Sequence, residues 1–262
     1  MKLNRDNRPN NILTKKGKHA LALFLKYFFL ISIGYIILFQ IFYMISYAFR
    51  PIDEMNDPSV VWLPRELTVQ HFKDAFEKLQ YLASLWNTLH IHILSALLEV
   101  VTCAVVAYGF ARFKFPFKNL LFTLVLITIV VPSKIIATPL YLNYAFFDVF
   151  GILGGLSKLV GQDLRPNLLD TGFVFYLPSL FASGLRSGLL IFIYRQYFKG
   201  LPLELEEAAS IDGAGPFKTF LYIIVPSSGV AILTASIFSV LWHWNEYDLS
   251  ALFFNENFPL SV

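Results

Sequence analysis

Three ionisable residues stand inside otherwise apolar stretches of this 262-residue chain: Glu99, Lys134 and Arg186. A charge near the centre of a bilayer costs roughly 2.5–3.5 kcal/mol on insertion scales, so each calls for a partner, a wet cavity or a route to the headgroups. Glu99 and Arg186 each fall a little over halfway along apolar runs that are expected to cross in the same direction. At a rise of about 1.5 Å per residue this gives them similar depths, and an intramembrane ion pair is the expectation if the two helices are neighbours. The alternative for Arg186 is a place on a translocation pathway. Lys134 lies toward the outer half of its run, where its long stem reaches the headgroups, again with a pathway role as the alternative. A fourth group, Trp242 to Asp248 (W-H-W-N-E-Y-D), mixes aromatic faces with hydrogen-bonding groups. That combination binds sugars, and Trp244, Asn245 and Glu246 are candidate contacts. An interfacial aromatic belt is the competing reading for the two tryptophans.

Other chemistries find no support. Gly17-Lys18 is followed by His19 and lacks the upstream glycine of a phosphate-cradling loop. The chain is therefore expected to bind no nucleotide or other cofactor and not to be an enzyme. His90 and His92 are two apart and point to different helix faces, unlike the i, i+4 pair of a helical zinc site, so an interfacial position is expected for them. No H-E-x-x-H or G-x-S-x-G occurs. The single cysteine, Cys103, excludes an intrachain disulfide and reads as a small core residue. The net charge of +3 carries no nucleic-acid reading.

The elements that must position these residues are membrane helices. Residues are 56% hydrophobic and only 15% charged, far from the balance of soluble domains. The expected fold is all-α, a polytopic transmembrane helical bundle with five spans and the N-terminus inside. A basic tail at 1–26, with Lys2, Arg5, Arg8, Lys15, Lys16 and Lys18, is expected in the cytoplasm by the positive-inside rule. The membrane domain then occupies 27–262. Its spans are expected at 27–48, 89–110, 120–142, 173–194 and 229–247. The acid-rich segment 50–82 should lie outside, with Thr68 capping a short amphipathic helix that carries Phe72, Phe76 and Leu79. The basic turn Arg112 to Lys118 belongs inside. Pro132 and Pro139 should kink the third span. A glycine-containing external loop is expected at 143–172.

Between the fourth and fifth spans lies a polar island, 195–226. Gly200 breaks the preceding helix, and Pro202 sits where a new one starts, followed by Glu204, Glu206 and Glu207 at its positive N-terminal end. Leu205, Ala208, Ala209 and Asp212 share one face, and Gly213 can stop the helix. Pro216 can open a second helix, with Phe217, Phe220, Leu221 and Ile224 at helical spacing, and Pro226 is expected to close it. Glu207-Ala208-Ala209, three residues, Gly213, nine residues, Ile223 and Val225-Pro226 together resemble the EAA loop of bacterial ABC-importer membrane subunits, with valine in place of the usual leucine.

The resemblance implies that the loop is cytoplasmic and that its first helix, with Asp212 and Gly213 at its end, couples the chain to an ATP-hydrolysing partner. Ala107 to Pro116, Val131 to Tyr141 and Trp244 to Tyr247 are similar to the carbohydrate-importing, maltose-type branch, in particular its second permease. Membership of that branch implies a multi-pass protein of the bacterial inner membrane that works by alternating access. It also implies a second permease subunit, two ATPase subunits that use ATP and Mg, an extracytoplasmic solute-binding protein and a sugar substrate. The family has six helices here, so five spans imply that the native chain continues past Phe258 to Val262. A permease for another small solute is the nearest alternative. An ion-coupled secondary transporter would account for the buried charges but not for the loop, and no internal repeat supports it.

Overall fold

The computed structural model describes residues 12–60 and 62–255, and every regular element among them is helical. The basic residues Lys2, Arg5 and Arg8 and the terminal stretch from Phe258 to Val262 lie outside the described residues. Two compact units divide at Lys78 and Leu79.

The first unit begins with α1 (Ile12–Ala48), whose stretch Gly17–Ala48 has the length and hydropathy of a membrane span. Apolar side chains are exposed all around it, from Phe24 and Phe28 to Ile36, Ile37 and Met44. Only lipid or another protein surface suits such a helix. Beyond α1 the chain is secured by the buried Arg50, whose Nη2 donates to Ser46 Oγ at 3.1 Å while its guanidinium lies over Tyr43 and Tyr47. Thr68 Oγ1 accepts from the Gln70 N–H at 3.1 Å, the expected cap of α2 (Gln70–Lys78), and Phe72 of that helix packs on Phe49.

The second unit opens with α3 (Tyr81–Thr88), a π-turn (Leu89–Ile93) and α4 (Leu94–Arg112), which run together as one apolar helix, Tyr81–Arg112. Next come α5 (Lys118–Val130) and α6 (Ser133–Ala145), bent by 106° at the break between them. The expected kink is here a bend somewhat past a right angle. Pro132 lacks an N–H and pushes Val131 out of helical geometry, so two consecutive residues leave the helix at ψ 117° and 131°. Pro139, by contrast, is carried inside α6.

The glycine-containing loop holds a helix of its own, α7 (Ile152–Val160), whose first turn donates to Asp148 from Leu153 N and Gly154 N at 2.9 Å. The expected fourth span is delivered as two helices, α8 (Phe173–Leu180) and α9 (Ser187–Gly200). Ala182 and Arg186 adopt left-handed backbone between them, at φ 53° and 55°. After α9 come α10 (Glu204–Ile211) and α11 (Pro216–Thr219), then α12 (Gly229–Trp244) and α13 (Tyr247–Phe253). The second helix of the loop stops just ahead of Pro226, as expected, but Pro226 has a further part. A π-turn (Phe220–Ile224) and a 3-10 turn (Pro226–Ser228) carry α11 into α12, and Pro226 opens the apolar helix Pro226–Trp244. Proline suits a first turn, where its missing donor is unpaired anyway.

Among the described residues three helices have the length and apolarity to cross a membrane, or four if the bent α5–α6 pair counts as one span. The sequence led us to expect five. The shortfall is the α8–α9 break, which contains Ser183-Gly184 and adjoins Ser187-Gly188.

The core centres on α4, which packs most extensively on α9 and also on α8 and α12. Cys103, Ala107, Leu190, Tyr194, Ile224 and Ala235 are all fully buried along these contacts. Small residues permit the approach. A Cβ on Gly188 of α9 would stand 2.5 Å from Thr128 Oγ1 and 2.8 Å from the Val125 carbonyl of α5. A second cluster gathers Ile91, Val174 and Phe175 with Leu249 and Phe253 of α13.

Candidate functional site: a docking helix and a buried polar knot

The loop between α9 and α12 folds as a helix, a glycine turn and a short second helix. Gly213 has φ 78°, and two hydrogen bonds close α10 over it: Ala214 N donates to Ala209 O at 2.9 Å and Gly213 N to Ser210 O at 3.1 Å. This is the Schellman arrangement, which places a left-handed residue just past the helix and favours glycine there. Pro216 takes the first position of α11, and Thr219 Oγ1 donates back to Gly215 O at 3.1 Å.

The two faces of α10 differ. Glu207, Ala208, Asp212 and, at 86% exposure, Ile211 are turned outward, and Phe217 of α11 is 73% exposed. Ala209 is buried within the chain, so of the two alanines only Ala208 is exposed. Glu206 also faces inward. Its Oε1 lies 2.5 Å from Arg112 Nε, at the last residue of α4, and its Oε2 accepts from the Tyr108 hydroxyl at 3.4 Å. Ile223 lies in the π-turn that leads to Pro226 and α12.

Glu99 is fully buried at the meeting of α4, α9 and α12. Ser187 Oγ donates to its Oε1 at 2.5 Å, and Ser239 Oγ donates to Oε2 at 2.8 Å. His243, one turn beyond Ser239, places Nδ1 2.9 Å from the Ser239 carbonyl, which assigns the proton to that nitrogen. The same Nδ1 is 3.6 Å from Glu99 Oε2, beyond a hydrogen bond. The expected Glu99–Arg186 ion pair is therefore not formed. Arg186 precedes α9 in left-handed backbone, and its guanidinium lies over the Trp242 ring, 5.1 Å from the centroid. Depth alone misled the expectation, because the break before α9 turns Arg186 away and offers Ser187 in its place.

Lys134 pairs with Asp248 at 3.0 Å, both side chains being more than half exposed. Of the candidate sugar contacts, Glu246 caps α13 by accepting from Leu249 N at 3.1 Å, and Asn245 Nδ2 donates to Leu241 O at 2.7 Å. Trp244 is 44% exposed. The histidines also part company. His90 is exposed and its ring lies over Trp86, whereas His92 is buried edge-on against Phe175 and is not interfacial as expected. Among the described residues no group of three or more metal-ligating side chains comes together.

Comparison with known proteins agrees with this architecture. The family model described as binding-protein-dependent transport system inner membrane component matches residues 100–260, which include Glu99's neighbours on α4, the whole loop between α9 and α12, and α12 itself. The trehalose transport system permease protein SugB of Mycobacterium tuberculosis is 27% identical over 219 residues, covering 83% of this chain and 70% of that protein. The arabinooligosaccharides transport system permease protein AraQ of Halalkalibacterium halodurans is 28% identical over 235 residues, covering 88% and 76%. The chain spans 66% to 76% of the length of four such curated relatives. A crystal structure of a bacterial ABC transporter involved in the import of the acidic polysaccharide alginate shares the fold, with a TM-score of 0.65 at 18% identity, over 98% of this chain and 80% of the matched one. The chain is an integral membrane protein, and it belongs to the family of binding-protein-dependent transport system inner membrane components.

Proposed function

We propose that the chain is a membrane-spanning subunit of an ATP-driven sugar importer and that α10 is the helix on which an ATPase subunit docks. The observation that carries this reading is the two-sided character of α10, with Glu206 and Ala209 held by the chain itself and Glu207, Ala208 and Ile211 presented outward. Exposed Ile211 and Phe217 beside acidic residues form a surface suited to a protein partner. The sugar assignment rests on relatives named for trehalose and arabinooligosaccharide transport. ATP and Mg are then used by the ATPase, a second permease completes the pathway, and a solute-binding protein delivers sugar on the outer side of the inner membrane. Closure of the ATPases would move α10 and, through it, tilt the helices as rigid bodies between inward-open and outward-open arrangements.

Proteoliposomes containing the complex with its ATPase and binding protein should take up labelled di- or trisaccharide only with ATP and Mg inside the ATPase compartment. Uptake driven by an ion gradient without ATP would overturn the importer reading. ATP-driven uptake of a non-sugar solute alone would overturn the sugar assignment and leave the importer intact.

A further inference from the structure

We propose that Arg112 and Glu206 are positioning residues that fasten the docking helix to α4, so that α10 transmits its displacement to the bundle through this one pair. The inference rests on the reading of α10 as the docking helix. Arg112 ends α4 and its side chain is only 8% exposed, against 20% for Glu206. Its Nε faces Glu206 Oε1 at 2.5 Å, and its Nη2 donates to the Leu201 carbonyl, just past α9, at 2.8 Å. Tyr108, one turn earlier on α4, reaches the other carboxylate oxygen at 3.4 Å. Arg112 thus meets one oxygen of Glu206 as an ion pair whose Nε–H is not aligned on it, Tyr108 reaches the other oxygen through a long hydrogen bond, and the same guanidinium holds the end of α9.

Ion pairs on open surface contribute little, but three features set this one apart. It is largely shielded from water, its guanidinium is also anchored on the Leu201 carbonyl, and each charge sits at the helix end that favours it, the cation at a C-terminus and the anion in a first turn. The tyrosine is itself immobilised, with its ring packed on Phe220 at 4.9 Å and on Phe198 at 6.2 Å. Covalent continuity does not supply the same link. α10 is joined to α9 through Leu201 to Leu203, and to α12 through a glycine turn, α11 and a π-turn, so neither link runs through α4. The α4 side has no chain connection to α10, and among the described residues its polar attachments are this pair and the Tyr108 hydroxyl.

Coupling claims need a measurement that separates coupling from folding. In proteoliposomes of the full complex, we would compare Arg112→Gln, Glu206→Gln, Arg112→Lys and the exchanged double variant Arg112→Glu/Glu206→Arg, reading ATPase subunits retained, ATP hydrolysed and sugar imported. The expected result is retention of the ATPase in both Gln variants with at least a tenfold fall in sugar imported per ATP. Arg112→Lys should lose less than Arg112→Gln, and the exchanged double variant should recover severalfold over either single variant, incompletely because the Leu201 carbonyl loses its donor. An unchanged import-to-hydrolysis ratio in the Gln variants would overturn the proposal. So would loss of the ATPase together with no recovery in the double variant, which would make the pair a plain folding contact. Ala208→Trp separates the underlying reading: if it neither releases nor uncouples the ATPase, the docking assignment itself fails, whereas an effect there alongside normal Arg112→Gln coupling removes only the tether.

Discussion

Glu99 Oε2 accepts a hydrogen bond from Ser239 Oγ at 2.8 Å, joining α4 to α12 across 140 residues of sequence. With Ser187 on its other oxygen, one carboxyl group binds three helices. Removing it by Glu99→Ala leaves two buried hydroxyls without their acceptor, at about 1–3 kcal/mol each. Glu99→Ala should therefore lower unfolding stability by about 2–5 kcal/mol, whereas Glu99→Gln, which keeps an acceptor and the volume, should cost about 1 kcal/mol. Denaturant titration of the purified complex in detergent reads both, and equal losses would contradict the assignment.

Gly188 should tolerate no side chain. A methyl group there meets Thr128 Oγ1 and the Val125 carbonyl below 3 Å, and the carbonyl belongs to backbone that cannot swing aside. Gly188→Ala is expected to destabilise by about 1–3 kcal/mol, as overpacking does. Gly200, at the end of the same helix, has open space around it, so Gly200→Ala is the matched control and should be neutral or slightly stabilising.

The two alanines of α10 should separate docking from folding. Ala208→Trp adds bulk on the outward face and is expected to reduce ATPase co-purification at least fivefold without changing chain stability. Ala209→Trp places the same bulk inside the chain and should expose the loop to proteolysis. Gly213→Ala should cost about 1–2 kcal/mol through its left-handed backbone, and Gly213→Asn less. Identical behaviour of the two Trp variants would refute the two-sided description.

Lys134 and Asp248 form a bridge that water screens, with side chains 76% and 55% exposed. Such pairs contribute about 0–1 kcal/mol. Lys134→Gln should shift stability by less than about 0.5 kcal/mol and leave sugar uptake within twofold of the parent. A tenfold loss of uptake would instead give Lys134 a role on the pathway.

In the loop after α7, Arg165 donates to both carboxylate oxygens of Asp163, at 2.9 and 2.7 Å, and holds its carboxyl well below the ordinary range, at about 2. A depressed carboxyl pKa contributes stability above its unfolded value and loses it as pH falls through the folded one. Loop contacts should thus persist from neutral pH to about pH 4 and loosen only toward pH 2. Arg165→Gln should move that loosening upward, as read by hydrogen exchange of the segment around Leu164.

The loop between α9 and α12 was largely legible in the sequence because each of its turns rests on a residue with a local rule. Gly213 needs left-handed backbone, Pro216 suits a first helical position, and Glu204 to Glu207 suit a positive helix end. The buried knot was only half legible. Glu99 announced itself as a charge in an apolar run, but its partners are serines, which apolar helices carry without distinction, and they come together through tertiary packing alone. Arg112 read as an ordinary cytoplasmic cation, since nothing local ties it to a glutamate ninety-four residues away. The α8–α9 break escaped notice for a related reason: Ala182 and Arg186 are not residues that favour left-handed backbone, and the surrounding packing imposes it. Pro226 closes the loop's second helix as read but also opens the next one, because proline suits a first turn as well as a stop.

The carboxyl group that binds three helices also sets an order of events during synthesis. Glu99 leaves the ribosome 88 residues before Ser187 and 140 before Ser239. For that interval the nascent α4 carries an acid into the membrane with neither of its final donors yet made. Lipid is a poor place to wait. On insertion scales an unpartnered acid near the centre of a helix costs roughly 2.5–3.5 kcal/mol, and for α4 the serines that offset this cost arrive only with α9 and α12.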